Sequence, residues 1–230
     1  MSTKKDIYNT EEKAPDAVSP AVIRRLPRYF RYLRELIRMG KTRVSSAELS
    51  NMMNVTASQI RQDLNCFGGF GQQGYGYNVN YLYTKICEIL GVGAGYRAAV
   101  IGAGNLGTAL VRSPMFENRG VDVVAMFDVS DALIGKQLGQ ATVYHVDDIE
   151  EIFADFEIDI AILTCPKDCA LDVAQTLKHT SVKGIWNFTG KELGLSDSEI
   201  AVEDVHIGDS LMILCYDMLN KEKDKDGSDK

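Results

Sequence analysis

Three glycines with the spacing G-x-G-x-x-G, namely Gly102, Gly104 and Gly107, directly follow the apolar stretch AAVI. The first glycine of such a loop allows a tight turn, the second lets the backbone approach a diphosphate, and the third lets a helix pack closely on a strand. Asp128 follows 21 residues after Gly107, at the end of a second apolar stretch. A carboxylate at about this distance binds the ribose 2′-hydroxyl and repels a 2′-phosphate. The spacing therefore predicts a dinucleotide site that prefers NAD(H) to NADP(H), with coenzyme A or another adenylate as the alternative ligand.

The residues expected to contact this cofactor lie in the glycine loop and at the ends of later apolar stretches. They are Gly102, Ala103, Gly104, Asn105, Leu106, Gly107, Asp128, Cys165, Pro166 and Asn187. An enzyme that transfers a hydride would also need a proton-transfer group, such as His, Lys or a Tyr and Lys pair. No residue stands out in that role, since Cys165 has no basic partner and His206 is isolated. We therefore predict no catalytic residues.

The cysteines and the apolar runs exclude several classes of protein. Five cysteines are an odd number without a Cys-x-x-Cys pair, and only three histidines are present, which favours reduced thiols and argues against structural zinc. No apolar run approaches the roughly 18 residues that span a bilayer, and residues 1–15 do not resemble a signal peptide. We expect a cytoplasmic protein without a metal site.

From Arg97 onward, short apolar stretches alternate with helical patterns. The order is strand AAVIGAG, helix NLGTALVRS, strand VDVVAMFDV, strand EIDIAILTCP, a helix from Asp168 to His179, strand GIWNFTG and strand AVEDVHIG. This alternation predicts an α/β fold with a doubly wound parallel sheet that is covered on both faces. We expect this Rossmann-type domain to span residues 91–207.

Residues 19–90 predict a separate helical domain, preceded by a disordered tail over residues 1–18. Ser19 and Pro20 are typical of a helix start, and this helix should end at Gly40, with Pro27 kinking it or marking a second start. Residues 1–90 hold 13 Lys and Arg against 8 Asp and Glu, whereas the rest of the chain holds 12 against 24. A basic domain in an acidic chain fits nucleic-acid binding, because phosphate contacts are local. A solvated basic helix is the alternative explanation of the charge.

Two short helices follow in this domain. Ser45 and Glu48 form a capping box for a helix through Met53, and Thr56 caps a second helix from Ala57 to Phe67. Helices joined by so tight a turn predict a helix-turn-helix, whose second helix enters the DNA major groove. A helical hairpin without DNA binding is the alternative.

A glycine-rich segment from Gly68 to Tyr77 then predicts a β-hairpin wing, and a further helix should run from Asn80 to Leu90. The residues predicted to contact double-stranded DNA are Arg43, Ser46, Ser58, Gln59, Arg61, Gln62, Gln72, Gln73 and Tyr75. Among these, arginine suits guanine and glutamine suits adenine.

The segment GDSLMILCYDMLN predicts a C-terminal helix over residues 208–222, with Asp209 or Ser210 as its cap and a charged tail over residues 223–230. A helix that is apolar nearly all round must be buried. At the end of a chain this favours insertion into a partner subunit, and helix-turn-helix proteins are commonly dimers. We therefore predict a homodimer.

The sequence resembles the Rex family of redox-sensing transcriptional repressors from about Ala21 to Met218. The motifs that carry the resemblance are RRLPRYFRYL, VSSAELS, TASQIRQDL, GQQGYGYNV, GAGNLG, FDV and KGIWNF, in this order. The resemblance implies a homodimer with an N-terminal winged helix, a Rossmann domain and a last helix swapped between subunits. It also implies a repressor that binds palindromic operators with NAD+ or no ligand and releases them when NADH binds.

The resemblance further implies a switch that joins an Arg of the first helix, a Tyr after the glycine loop and an Asp near the last strand. The matching positions here are Arg31, Ser113 and His206, so only the arginine is retained, and Asp209 lies near enough in sequence to supply the acid. Gln62, Gln72 and Gln73 stand where family members often carry basic residues, which predicts a shallower salt dependence of DNA binding.

Two other functions fit the residues less well. One is an NAD-dependent oxidoreductase with an accessory N-terminal domain, which steady turnover of a small carbonyl or hydroxyl substrate would reveal. The other keeps DNA binding but makes the Rossmann domain a dimerisation scaffold that binds no nucleotide.

Overall fold

The computed structural model describes residues 18–68, 71–72 and 75–227. The chain divides into two compact units, Met1–Val92 and Gly93–Lys230. The division falls two residues beyond the predicted boundary. All but Val18 of the predicted disordered tail, and Gln73 of the predicted wing, lie outside the described residues.

Over its described residues, the first unit packs four helices around one apolar core and carries a small antiparallel sheet in the order β1-β3-β2. Its elements are α1 (Pro20–Arg38), β1 (Arg43–Val44), α2 (Ser46–Met53), α3 (Ala57–Asn65), β2 (Gly71–Gln72), β3 (Gly76–Asn78) and α4 (Val79–Ile89). Leu26 and Leu33 of α1, Leu49 of α2, Ile60 of α3 and Leu82 of α4 are fully buried together. The helix-turn-helix and its wing therefore rest on a core that α1 and α4 complete.

Pro27 does not begin a second helix. It lies inside α1, exposed, and the helix continues past it to Arg38. Gly40, with φ +72°, ends the helix in the left-handed conformation, as expected of a glycine C-cap. α3 is shorter than predicted, ending at Asn65 rather than Phe67. Its last turn tightens, because the N–H groups of Cys66 and Phe67 donate to the carbonyls three residues back, over 3.3 Å each. α4 starts one residue early, since the Asn78 side chain caps it by accepting from the Tyr81 N–H over 2.9 Å.

The second unit is a seven-stranded sheet in the order β10-β9-β8-β4-β5-β7-β6, parallel except for the β6–β7 pair. Its elements are β4 (Tyr96–Ile101), α5 (Asn105–Val111), β5 (Val121–Asp128), β6 (Gln137–Leu138), β7 (Ala141–His145), α6 (Ile149–Asp155), β8 (Ile160–Leu163), α7 (Ala170–Leu177), β9 (Gly184–Asn187), β10 (Ala201–Asp204) and α8 (Ile207–Gly227). Alternate residues of β4 enter two cores: Ala99 and Ile101 join the core formed with α6 and α7, whereas Ala98 and Val100 join the core on the other face. The predicted doubly wound sheet, covered on both faces, is confirmed.

Three elements of this sheet domain were not predicted, namely β6, β7 and α6. β7 contributes only two fully buried residues, Ala141 and Val143, so its apolar pattern is too short to stand out from the surrounding sequence. α7 covers Ala170–Leu177 and is shorter than the predicted helix from Asp168 to His179, because a 3₁₀ turn over Lys167–Cys169 precedes it.

The C-terminal helix starts and ends outside the predicted limits. It begins at Ile207, where the Asp209 N–H donates to the His206 carbonyl over 3.1 Å, and continues to Gly227. Neither Asp209 nor Ser210 is the predicted cap, because both lie inside the helix, and the Ser210 hydroxyl donates to the Ile207 carbonyl over 3.0 Å. Every residue from Ile207 to Leu219 is exposed. None of the described helices is both long and apolar enough to cross a bilayer.

Candidate nucleotide site and DNA interface

The glycine loop joins the carboxyl end of β4 to the start of α5. Gly102 has φ +107°, and a Cβ there would lie 2.8 Å from the Cys165 N atom. A Cβ on Gly107 would overlap the Gly102 carbonyl oxygen and lie 2.7 Å from Thr164 Oγ1. A Cβ on Gly104 would meet no atom within 4 Å. Gly102 and Gly107 are therefore required because the neighbouring backbone leaves no room for a side chain. Gly104 instead leaves open space in front of the start of α5, where the backbone N–H groups have no intrahelical partner.

Thr164, which sequence reasoning missed, fastens this loop to the neighbouring strand. Its Oγ1 donates toward the Gly102 carbonyl over 2.8 Å and lies 3.2 Å from the Ile101 carbonyl. A hydroxyl residue directly after an apolar strand was the only sequence signal for this contact. Thr164 therefore helps to fix the turn that the first glycine makes.

Asp128 ends β5 beside the glycine loop. Its Oδ2 accepts from the Ala103 N–H over 2.8 Å and its Oδ1 accepts from the Ser130 N–H over 3.0 Å. A carboxylate offers about four acceptor positions, so about two remain for a ligand. The half-buried Asp128 is thus held in place and can still accept hydrogen bonds from ribose hydroxyls.

A cavity of about 310 Å³ opens between the ends of β4, β5 and β8, next to Gly102 and Asp128. Its apolar walls include Val129, Val146, Ile149, Pro166 and Val173. An apolar cavity beside a carboxylate and a glycine loop suits a flat heterocyclic base attached to a ribose and a diphosphate.

Cys165 lines the same cavity as a thiol rather than a thiolate. Burial, with a smaller contribution from the neighbouring Cys169, raises the pKa of Cys165 to about 11. Cys169 donates from Sγ to the Pro166 carbonyl over 3.3 Å. A protonated thiol is a poor nucleophile, so the geometry supports Cys165 as part of the cavity wall.

Asn187 does not fit its predicted role in cofactor binding. It is buried, its Nδ2 donates to the Lys191 carbonyl over 2.8 Å and to Asp204 Oδ1 over 2.7 Å, and its Oδ1 accepts from the N–H and hydroxyl of Thr189. These bonds use both donors and both acceptor positions of the amide. Asn187 therefore fixes the loop after β9 and is absent from the residues that line the cavity.

The predicted capping box fixes the first helix of the helix-turn-helix. Ser45 Oγ accepts from the Glu48 N–H over 3.1 Å, and Glu48 accepts from the Ser45 N–H over 2.8 Å. Lys41, followed by Ser45, lowers the pKa of Glu48 to about 2. Asn54, with φ +51°, ends α2 in the left-handed conformation and turns the chain toward α3, which Thr56 caps. The local signals that predicted this motif are confirmed.

The exposed side of α3 presents Ser58, Arg61 and Gln62, and Arg61 lies 3.3 Å from Ser46 Oγ. Gln59 is half-buried instead, because its Nε2 donates to Asp63 over 2.8 Å. The structure thus places Ser46, Ser58, Arg61 and Gln62 together on one polar surface, with Gln59 at its margin.

Arg43 contacts Tyr75 in the turn of the wing, directly before β3. Its guanidinium donates to the Tyr75 carbonyl over 3.2 Å and lies 5.5 Å from the centre of the Tyr75 ring. Tyr75 is 69% exposed, and Gln72 pairs with Gly76 in the hairpin. Gly76 has φ +68°, and a Cβ there would lie 2.6 Å from the Val44 carbonyl oxygen. The wing is therefore anchored to β1, with an aromatic ring presented to solvent.

Asp63, which the sequence analysis did not single out, is the fully buried acid of α3. It accepts from Arg25 Nε and NH2, both over 2.7 Å, from the Tyr29 hydroxyl over 3.0 Å and from Gln59. Burial raises the pKa of Asp63, but the bonds from Arg25, Gln59 and Tyr29 outweigh it and leave the pKa below its usual value. An ionised Asp63 therefore ties α1 to α3.

The predicted switch residues are distributed over both units. Arg31 is exposed on α1, and Ser113 is half-buried after α5, where its Oγ accepts from the Met115 N–H over 3.3 Å. His206 is exposed between β10 and α8, and Asp209 is exposed in the first turn of α8. Their joint role stays a prediction.

Comparisons with known proteins match both units of the chain. Residues 17–65 match a family described as putative DNA-binding protein N-terminus, and residues 94–190 match one described as CoA binding domain. Two relatives named redox-sensing transcriptional repressor Rex are similar along most of the chain. The relative from Caldicellulosiruptor saccharolyticus is 43% identical, and the similarity covers 90% of this chain and 94% of the relative. That of Clostridium beijerinckii is 47% identical, covering 90% and 97%.

Two crystal structures of RSP, a Rex-family repressor, are also similar. The complex of RSP with beta-NAD+ and operator DNA has a TM-score of 0.83 and 46% identity, covering 93% of this chain and 98% of its own. The complex with beta-NADH has a TM-score of 0.83 and 44% identity, covering 91% and 98%. With this identity over both units, the chain belongs to the Rex family of redox-sensing transcriptional repressors.

Proposed function

We propose that this chain is a repressor that binds operator DNA through its first unit and senses NAD(H) through its second. The observation that carries the proposal is the presence, in one chain, of a winged helix-turn-helix and a glycine loop tied to Asp128. The relatives that share both units are redox-sensing transcriptional repressors by name. The first unit thus binds operator DNA, and the second unit binds and senses the nucleotide.

The nucleotide site fits NAD(H). Gly104 leaves room for a diphosphate, Asp128 has acceptor positions for ribose hydroxyls, and the apolar cavity accommodates adenine. Asp128 disfavours a 2′-phosphate by charge, and coenzyme A is disfavoured because RSP has been crystallised with beta-NAD+ and beta-NADH. Bound NAD(H) carries redox information as the presence or absence of a hydride on its nicotinamide ring. The chain's own residues bind and orient the nucleotide, and the half-buried, protonated Cys165 lines its cavity.

DNA affinity is controlled by which nucleotide is bound. A ligand shifts DNA binding only as far as its affinities for the DNA-competent and DNA-free states differ. RSP binds operator DNA together with beta-NAD+, which supports NAD+ as compatible with the DNA-bound state and NADH as the releasing ligand. The repressor acts as a homodimer, since α8 exposes an apolar surface that a second copy would cover and palindromic operators match two-fold symmetry.

The test is operator binding measured by fluorescence anisotropy at one fixed salt concentration, without nucleotide, with NAD+ and with NADH. We expect NADH to weaken binding about tenfold or more, equivalent to about 1.4 kcal/mol, and NAD+ to leave it intact. Equal binding in all three conditions would contradict redox sensing. Steady turnover of a small carbonyl or hydroxyl compound would instead favour an oxidoreductase.

A further inference from the structure

Gln59 and Asp63 form a polar pair at the margin of the DNA-facing surface of α3. Gln59 lies in the first turn of α3 and is half-buried, whereas Asp63, one turn later, is completely buried. Gln59 Nε2 donates to Asp63 Oδ1 over 2.8 Å. The N-terminal residues of a recognition helix are those that contact base edges. The pair therefore links a potential base-reading amide to a fixed internal charge.

The chemistry of the carboxylate determines how the amide is oriented. Arg25 donates to both oxygens of Asp63 over 2.7 Å, and Tyr29 donates to Oδ2 over 3.0 Å. The ion pair with Arg25 keeps Asp63 ionised, and an ionised carboxylate can only accept hydrogen bonds. Gln59 must consequently direct Nε2 toward Asp63, since Oε1 would be repelled. The carbonyl oxygen of Gln59 is then the atom turned away from the interior.

We propose that Asp63 sets the base preference of Gln59 by holding Nε2 and presenting Oε1 to the major groove as a hydrogen-bond acceptor. Adenine N6 and cytosine N4 are the exocyclic amino groups exposed in that groove, whereas guanine and thymine present acceptors there. Gln59 also keeps a second N–H, which matches adenine N7. Gln59 therefore selects adenine, with cytosine next, at one position of each operator half-site. This inference rests on the proposed DNA-binding function.

Asp63 acts through Gln59 and is a positioning residue. In an Asp63→Asn variant one of the two oxygens that accept from Arg25 is replaced by an NH₂ group, so the fixed charge that holds Gln59 Nε2 is lost. Gln59 can then turn either Oε1 or Nε2 outward. The preference for a base that offers an amino group over guanine or thymine, which offer only acceptors, should therefore weaken at this one position. A purely structural Asp63 would lower affinity for every sequence equally.

The experiment starts from a DNA duplex that the full-length wild-type chain selects from a random pool. Each base pair of one half-site is then replaced in turn, and binding is measured by fluorescence anisotropy at fixed salt for the wild type, Gln59→Ala, Asp63→Asn and Tyr29→Phe. We expect Gln59→Ala to reduce discrimination at one position from about tenfold to about twofold, within the range of a good base contact. The wild type should prefer adenine there, and Asp63→Asn should lose most of this preference at that position while discrimination at the other positions is kept. Loss of affinity in Asp63→Asn that is equal for every duplex would overturn the positioning role of Asp63.

Tyr29→Phe is the matched control, since it removes one hydrogen bond from Asp63 Oδ2 without touching Gln59. It should keep the wild-type preference at every position. Unchanged discrimination in Gln59→Ala, or a wild-type preference for guanine or thymine at the affected position, would overturn the inference, even if Asp63→Asn fails to fold. Failure of the wild type to select any duplex would overturn the proposed function together with it.

Discussion

The Ala103 N–H donates to Asp128 Oδ2 over 2.8 Å, so the acid that ends β5 is tied directly to the loop that begins α5. The second oxygen of Asp128 is held by the Ser130 N–H. Asp128 therefore has two roles: it shapes the glycine loop before a nucleotide arrives and it offers its remaining acceptor positions to the ribose. Such preorganisation reduces the entropy that binding must overcome.

Asp128→Asn should separate these two roles. The amide oxygen can still accept from the Ala103 N–H, so the fold should survive, but the charge that favours ribose hydroxyls and repels a 2′-phosphate is lost. We expect NADH affinity to fall about tenfold, equivalent to about 1.4 kcal/mol, and the preference for NADH over NADPH to shrink. Titration by nucleotide fluorescence measures both. Asp131→Asn, an exposed acid nearby, should change neither, and an unchanged NADPH preference in Asp128→Asn would show that Asp128 does not set cofactor choice.

Gly104→Ala and Gly107→Ala should fail in different ways. The Gly104 backbone suits any residue and a Cβ there meets nothing within 4 Å, so stability should change by no more than about 0.5 kcal/mol. Its methyl group would nevertheless occupy the space expected for the diphosphate, and NADH binding should weaken. Gly107→Ala forces a methyl group against the Gly102 carbonyl and should lower the free energy of unfolding by about 1–3 kcal/mol. Thermal melts and NADH titrations distinguish them, and full NADH affinity in Gly104→Ala would refute the diphosphate assignment.

Local sequence signals predicted those parts of the structure that depend on neighbouring residues. The glycine loop with Asp128 and the capping box of Ser45 and Glu48 follow from fixed spacings, and the structure contains both. The Arg25–Asp63 pair is separated by 38 residues, so no local pattern could reveal it. The structural role of Asn187 could not be predicted from the sequence either, because its hydrogen-bond partners lie in a loop and in β10. Contacts that form only when distant segments meet require the fold itself.

Cys165 should react slowly with alkylating agents. Burial raises the pKa of this thiol to about 11, so about one thiol in a thousand is ionised at about pH 8. A cysteine with the ordinary pKa of about 8.5 would be about a quarter ionised at the same pH. Iodoacetamide labelling followed by mass spectrometry should therefore modify the exposed Cys66 long before Cys165. NADH should slow labelling of Cys165 further without affecting Cys66. Rapid modification of Cys165 near neutral pH would contradict a half-buried, protonated thiol.

Replacing apolar residues of α8 with charged ones should prevent dimerisation. Leu211 and Leu214 lie three residues apart on the helix and are 61% and 54% exposed in the single chain, so in the proposed dimer both are available for contacts with a second chain. Leu211→Glu with Leu214→Glu should lower the sedimenting mass to that of a monomer, since each buried leucine is worth about 1.5–3 kcal/mol. Operator affinity should fall with it. Asp217→Asn, on the same helix, is the control, and an unchanged sedimenting mass in the double variant would argue against dimerisation through α8.

Acid should weaken the first unit through Asp63. Burial raises the pKa of this carboxyl, but the bonds from Arg25, Gln59 and Tyr29 outweigh it and leave the pKa below its usual value. In the unfolded chain the pKa of this aspartate is about 3.9. Between the folded pKa and the unfolded pKa, the unfolded chain therefore binds more protons than the folded chain. Stability from Asp63 is therefore present above about pH 4 and is lost as the pH falls through the folded value.

Urea unfolding of the wild type, Asp63→Asn and the exposed-site control Glu35→Gln, followed by circular dichroism from near neutral pH to about pH 2.5, checks this. Trp186, the single tryptophan, lies in the second unit, so its fluorescence reports that unit separately. Asp63→Asn should be clearly less stable than the wild type near neutral pH, because Arg25 loses its ion-pair partner. The difference should shrink as the pH falls from about 4 through the lower pKa of the folded chain, because the wild-type carboxyl then becomes protonated as well. A difference that stays constant with pH would mean that Asp63 contributes by packing alone and not by its charge.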